Sequence, residues 1–200
     1  LKARITKDFD MRAIASTGLL AIASSLVLSA CASDATSTQT VASRAEIGGG
    51  GQAVLINGEG QQIGRVELRQ GATGLLVKVE ASGLTPGWHG IHIHATGACE
   101  APFTSSGAHI NHGQPAAPHG LLNTNGPDDG DLPNVFAGAD GKVNAELFTT
   151  RARISAHGPG QWLWDEDGSA IIIHASPDDH NSQPIGGAGD RVACAALGAS

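Results

Sequence analysis

The chain has 200 residues, enough for one domain of ordinary core size plus an appendage. Its formal net charge is −7 at pH 7, and without a basic patch it is not read as a nucleic-acid binder. Aromatics make up only 4%, with no Tyr, while Gly reaches 28 residues. Loops are therefore abundant, and strands must rely on Val, Ile and Leu.

The N-terminal segment reads as an export signal. Met11 and Arg12 are followed by the mostly apolar or small run Ala13 to Ala30, with the positive start, apolar middle and small-residue end of a secretory leader. Leu28-Ser29-Ala30-Cys31 resembles the lipobox of bacterial lipoproteins, which implies cleavage before Cys31 and a lipid on its sulfur. Residues 1–10, with Lys2, Arg4 and Lys7, read as an over-extended start. The run is short for a membrane span. Residues 1–30 are therefore assigned to the signal, and 31–50 to the lipid-attachment cysteine and a flexible linker. The linker is rich in Ala, Ser, Thr and Gly and ends in Gly48 to Gly51. The domain is expected over 51–200. These features predict a periplasmic protein, exported and tied to a cell-envelope membrane only through Cys31.

From residue 52 the chain reads as short strands punctuated by turns. Ala53 to Ile56 precedes the turn Asn57-Gly58-Glu59-Gly60, a strong hairpin signal. Ile63 to Leu68 and Leu75 to Val79 follow, then the turn Gly83 to Gly87. Next comes Gly90-Ile91-His92-Ile93-His94. In an extended strand, alternate side chains point to opposite faces. Ile91 and Ile93 should therefore enter a core, while His92 and His94 share the other face. Residues 95–134 break the rhythm, and so long a loop in a compact domain is expected to be functional. Val143 to Thr149, Ala170 to His174 and Arg191 to Ala195 complete the strands, with a second long loop over 175–190. Residues 157–167, containing Trp162 and Trp164, read as a hairpin tip with two packed indoles. The predicted fold is all-β, a Greek-key barrel or sandwich of about eight antiparallel strands with two long functional loops.

Two cysteines remain once Cys31 is given to the signal. Cys99 and Cys194 form an even pair in an exported chain, which favours a disulfide over two zinc-binding thiolates. Closing so long a loop is worth ~4.7 kcal/mol in the chain-entropy description. Six of the nine histidines lie between His89 and His119, and His174 ends the run Ile171-Ile172-Ile173. Imidazole suits zinc and copper. His89, His157 and His180 are read as ordinary polar or hydrogen-bonded residues.

The ordered set Gly90-Ile91-His92-Ile93-His94, Cys99, Gly107-Ala108-His109-Ile110-Asn111, His119-Gly120, Gly130-Asp131-Leu132-Pro133-Asn134, Ile173-His174 and Gly187 to Cys194 resembles the bacterial copper/zinc superoxide dismutases. The resemblance covers about residues 52 to 197. It implies superoxide as substrate and copper and zinc ions as cofactors, in protection of the cell envelope from oxidative damage. His92, His94, His109 and His174 match the copper ligands, and His109, His119 and Asp131 match zinc ligands, with His109 bridging. Cys99 and Cys194 match the family disulfide. Arg191 matches the arginine that attracts superoxide, and Asp178 the carboxylate linking a copper histidine to a zinc histidine, here His92 and His119.

One position departs from the family pattern. Asp128 stands three residues before Asp131, where the family usually has His. A carboxylate can also bind zinc, so a His2Asp2 site with Asp128 as the fourth ligand is expected. His112 is the alternative, and Asp129 reads as part of a solvated turn. Two other readings stand beside this one: a copper-only dismutase with a degraded zinc site, and a non-catalytic metal-binding envelope lipoprotein on the same fold. A metallo-β-lactamase-like hydrolase is disfavoured because Thr96-Gly97, not Asp-His, follows His94. Oligomeric state is open, a homodimer included.

Overall fold

The structure, a computed structural model, describes residues 50–198. The signal segment, Cys31 and all of the linker except Gly50 lie outside the described residues.

The strands are β1 (Gly50–Asn57), β2 (Gln62–Gln70), β3 (Leu75–Ala81), β4 (Gly87–His89), β5 (Ile91–His94), β6 (Val135–Ala137), β7 (Val143–Thr149), β8 (Ala152–Arg153), β9 (Gln161–Trp162), β10 (Ser169–His174) and β11 (Arg191–Leu197). Seven form one antiparallel sheet in the order β5-β10-β11-β1-β2-β3-β7. The sheet curls into a half-barrel of the Greek-key type, rather than the closed barrel of about eight strands that the pattern suggested. The chain changes partners at Gly90. Before it, β4 pairs with β6; after it, β5 pairs with β10. Hydrogen bonds that could have closed a barrel are thus divided between two sheets.

The inner face of the curl is the core. In β3, Leu75, Val77, Val79 and Ala81 are buried, while Leu76, Lys78 and Glu80 are partly exposed. This is the two-residue period of a half-buried strand. Ile91 and Ile93 of β5 are fully buried in the same cluster. β10 is buried along its whole length. Its outer-face residues Ala170 and Ile172 pack with Phe103 and Cys194 in a second cluster. The Cys99–Cys194 disulfide, with Cα atoms 5.7 Å apart, pins the long loop over that face.

That loop also covers the free edge of β5. Ile93 N–H donates to the Gly130 carbonyl at 2.9 Å, and Ile110 N–H donates to the Ile93 carbonyl at 3.0 Å. Isolated antiparallel bridges join His92 to Asp131 and His94 to His109. An open strand edge would otherwise leave these backbone groups unpaired.

Two local readings are corrected. Gly50 and Gly51 belong to β1 rather than to a tether, because the absence of a side chain admits a close neighbour. A Cβ on Gly51 would lie 2.9 Å from Trp164 Cζ2. Residues 157–167 do not form a hairpin tip either. Gln161–Trp162 pairs in parallel with Ala152–Arg153. Trp164 is buried in the core, whereas Trp162 only packs against it, partly exposed.

Candidate metal centre

Three segments of the chain meet above β5. The strand presents His92 and His94 on the face opposite Ile91 and Ile93, β10 ends on His174, and the covering loop supplies His109. All four rings are buried. One donor atom from each lies within 4.8 Å of the others. The His92 and His109 ring centroids are 4.2 Å apart, and those of His92 and His174 are 4.9 Å apart.

Each ring is oriented through its other nitrogen. His94 Nδ1 donates to the Gly107 carbonyl at 2.9 Å, and His174 Nδ1 donates to the Gly189 carbonyl at 2.9 Å. His92 Nε2 donates to Asp178 Oδ2 at 3.0 Å. These bonds leave His92 Nδ1, His94 Nε2 and His174 Nε2 as bare nitrogens. Together with His109 Nε2 they are buried and have no hydrogen-bond partner. Four buried polar atoms without partners would be costly unless something else satisfied them. A cation coordinated by all four does so.

A second cluster shares His109. It comprises His109, His119, Asp128 and Asp131, all buried, with one donor atom from each within 4.8 Å of the others. Asp131 Oδ2 accepts from the Gly120 N–H at 2.7 Å and the Asp128 N–H at 3.0 Å. Asp128 Oδ1 accepts from the Gly130 N–H at 3.0 Å. Each carboxylate is thereby held by one oxygen and offers the other. Asp131 Oδ1 is 2.5 Å from His119 Nδ1, yet neither atom has an aligned hydrogen bond. Asp128 Oδ2 is 2.9 Å from His109 Nδ1. The departure at Asp128 thus places a carboxylate in the cluster. His112 is exposed and stands outside it, with only its backbone N–H bonded to Asp129 Oδ2 at 3.2 Å. Asp129 is partly exposed.

Asp178 lies between the clusters. Its Oδ2 accepts from His92 Nε2 at 3.0 Å and its Oδ1 from His119 Nε2 at 3.1 Å. Such a carboxylate fixes both tautomers and both ring orientations.

The electrostatics divide the histidines. Burial lowers His92 to about 4, with the neighbouring His109 and His174 adding to the effect. Burial and the charge of His109 lower His94 to about 2, and burial lowers His174 to about 4. These three are neutral at pH 7, as metal ligation requires. Burial works against His119 too, but Asp131 and Asp178 outweigh it and raise it to about 10. Asp128 and Asp131 likewise raise His109 against the effect of burial. Asp131 and Asp178 are pulled below the carboxylate range despite burial, by His109 and His119 for the first and by His119 and His92 for the second. The carboxylate side thus attracts positive charge that protons supply when no metal does.

Arg191 sits opposite His174 in the β10–β11 register. Its Nη1 donates to the Phe103 carbonyl at 2.6 Å and to Ser106 Oγ at 3.0 Å, and its Nη2 to the Gly107 carbonyl at 2.7 Å. Among the described residues it makes no ion pair with a carboxylate. The guanidinium is therefore held in place by neutral acceptors, with its charge uncompensated.

Three further residues support the centre: Asn134, to which sequence reasoning assigned no role of its own, and His89 and His180, read as hydrogen-bonded residues and found so. His89 is buried between the His174 and Thr85 carbonyls, at 2.7 and 2.8 Å. Asn134 brackets the Asp178 backbone, donating to its carbonyl at 2.8 Å and accepting from its N–H at 2.9 Å. His180 touches Asp178 through its N–H. The position of Asn134, three residues after Asp131, was the available signal for it. The His89 contact with the His174 carbonyl joins distant segments and leaves no local pattern, whereas the His180 N–H reaches a carboxylate only two residues before it.

Comparisons with known proteins agree with this geometry. Residues 62–197 match the family described as copper/zinc superoxide dismutase (SODC). The chain is 48% identical over 146 residues to a superoxide dismutase [Cu-Zn] of Caulobacter vibrioides, covering 72% of this chain and 83% of that protein. It is 40% identical over 148 residues to superoxide dismutase [Cu-Zn] 2 of Aquifex aeolicus, covering 72% and 84%. Among solved structures, a double mutant of a SOD-like protein from Bacillus subtilis matches with a TM-score of 0.69 at 38% identity, covering 74% of this chain and 97% of that one. The Cu/Zn superoxide dismutase of Brucella abortus matches with a TM-score of 0.58 at 26% identity, covering 74% and 99%.

Proposed function

The chain belongs to the copper/zinc superoxide dismutase family, and from that premise we propose how its own residues divide the work. Its activity is the dismutation of superoxide to oxygen and hydrogen peroxide. In our reading His92 Nδ1 and the Nε2 atoms of His94, His109 and His174 hold copper. His109 Nδ1, His119, Asp128 and Asp131 would hold zinc, with His109 common to both groups. The observation that carries this assignment is the convergence of buried nitrogens without partners, each belonging to a ring whose other nitrogen is already engaged.

Copper, when bound, supplies one-electron exchange: one superoxide is oxidised to oxygen, and a second is reduced, with two protons, to hydrogen peroxide. The protein's residues provide the rest. Arg191 offers an uncompensated positive charge beside His94 and His174, which matters because the whole chain is acidic and repels anions at long range. His109 Nε2 faces the four-histidine cluster and can hold or release a proton there, while its Nδ1 stays anchored on the carboxylate side. Asp178 keeps His92 Nε2 and His119 Nε2 as N–H donors, so neither ring can turn its bare nitrogen away. Asp128 and Asp131, each steadied by a backbone N–H, present one oxygen apiece.

We also propose that the protein is exported and lipid-anchored through Cys31 at a cell-envelope membrane. The supporting feature is the Met11-to-Cys31 pattern. Cys31→Ala should release the protein from the membrane fraction, and unchanged partition would remove this part of the proposal.

The decisive experiment is metal content together with dismutation rate on the reconstituted chain. One copper and one zinc per chain with fast turnover is the expected result. Copper and activity without zinc would favour a copper-only enzyme. Metal without turnover would reduce the protein to a binder.

A further inference from the structure

His180 has a backbone φ of 61°, in the left-handed region. A non-glycine residue there carries strain that its surroundings must offset. Glycine occupies such positions nearby, at Gly186, Gly187 and Gly189. An imidazole in this place therefore invites a reason.

Its contacts supply one. The His180 N–H donates to Asp178 Oδ1 at 2.6 Å. The His180 carbonyl accepts from the Leu122 N–H at 2.9 Å, which ties the 175–190 loop to the loop that carries His119. A Cβ on Gly120, the residue after His119, would lie 3.0 Å from Asn181 Cα, so the two loops pack backbone against backbone here. The ring is held through Nε2, 3.2 Å from Asn134 Nδ2, and its Nδ1 lies 3.3 Å from Asp178 Oδ2 without an aligned hydrogen bond. An amide NH2 only donates, so Nε2 accepts, and the ring hydrogen sits on Nδ1 facing the carboxylate. The other Asn134 amide hydrogen goes to the Asp178 carbonyl, and Asn134 Oδ1 accepts from the Asp178 N–H. His180 and Asn134 thus enclose Asp178 on its backbone and its carboxylate together.

We propose that His180 is a positioning residue for the two-metal centre. It closes on Asp178 and holds that carboxylate between His92 Nε2 and His119 Nε2, so that the donors of both clusters keep their geometry. The proposal rests on the metal assignment above. Partners of this kind change metal affinity by roughly 10–100-fold when removed.

The test uses His180→Gly in the full chain, because glycine suits the left-handed backbone and spares folding. Zinc affinity is measured by chelator competition, and the donor set is read from the visible absorption of the cobalt-substituted site. His180→Gly should weaken zinc binding by about 10-fold or more and shift the cobalt bands. In an Asp178→Ala background the same change should add less than about 2-fold, since the effect passes through Asp178. His180→Asn tolerates the same backbone and keeps a donor, so it should recover part of the loss. Unchanged zinc affinity and unchanged cobalt bands in His180→Gly, beside a wild-type chain that binds zinc, would overturn this proposal alone. So would an equal loss with and without Asp178. A wild-type chain that takes up no zinc would overturn the metal assignment with it.

Discussion

Arg191 and His94 donate to the same acceptor. The Gly107 carbonyl oxygen lies 2.7 Å from Arg191 Nη2 and 2.9 Å from His94 Nδ1. One backbone oxygen therefore sets both the tautomer of a cluster histidine and the place of the cation beside it. Because the acceptors of Arg191 are neutral, its charge remains available to an incoming anion.

Arg191→Glu should lower the dismutation rate by roughly 10-fold or more and alter its salt dependence, with copper content unchanged. Arg191→Lys should fall between, since an ammonium keeps the charge but cannot reproduce the guanidinium's forked contacts with three acceptors. Rates measured across ionic strength check both. A wild-type salt profile in the Glu variant would make Arg191 a structural residue only.

Asp128 stands where the family resemblance leads one to expect a histidine. Asp128→Ala should lower zinc affinity and leave copper uptake largely intact, because Asp128 belongs to the carboxylate cluster and not to the four-histidine one. Asp128→His should retain zinc. Metal analysis after dialysis against a graded chelator series separates these outcomes. Equal zinc retention in the Ala variant would place the fourth zinc donor elsewhere.

The disulfide links the covering loop to β11, over the outer face of β10. Cys194→Ala should cost about 2–5 kcal/mol of stability. It should also weaken metal binding, because His109, His119, Asp128 and Asp131 all lie on the loop it restrains. Thermal unfolding with and without metals tests the two effects separately. A loss of stability with no change in metal affinity would show that the backbone bridges to β5 suffice to hold the loop.

Metal-free protein should show stability falling on both sides of about pH 6.5. His92, His94 and His174 have lowered values in the fold, to about 4, about 2 and about 4. The unfolded chain therefore binds protons first, near the ordinary histidine value, and stability drops as pH falls below it. Asp131 and Asp178, held below the carboxylate range, add a further loss as acid protonates them. His119 works in the opposite sense. Raised to about 10, it contributes fully below the ordinary histidine value and loses that contribution as pH climbs toward 10. Thermal midpoints measured from pH 4 to 10 should trace this dome. Zinc should flatten its alkaline side, because a cation that does not titrate replaces the proton. A metal-free midpoint independent of pH above 7 would contradict the role given to His119.

The Ile/His alternation of residues 91–94 was legible because a strand has a strict two-residue period. The structure places Ile91 and Ile93 in the core and His92 and His94 on the other face. His109, His119, Asp131 and His174 were singled out through the family resemblance that their order carries, and the structure brings them into two groups that share His109. The Cys99–Cys194 link was expected from an even pair in a chain read as exported, and it is present. The closure of the sheet was not legible. It depends on where hydrogen-bond partners change, and Gly90 carries no such mark in the sequence. The same holds for Gly50 and Gly51, whose place in β1 depends in part on Trp164, more than a hundred residues away.

The sequence by itself determined an all-β chain, a histidine pair on one face of a strand and a disulfide pair, because periodicity and residue chemistry are local properties; the two clusters sharing one histidine and the arginine beside them came through the family resemblance that the ordered motifs carry. Tertiary structure alone decided which nitrogen of each histidine is bare. That choice is made by the carbonyls of Gly107 and Gly189 and by the carboxylate of Asp178. It also decided that Asp128 reaches the cluster while His112 does not, and that His180 and Asn134 close around Asp178. Each of these depends on the ångström-scale placement of groups brought together only when the two long loops fold over the edge of the sheet.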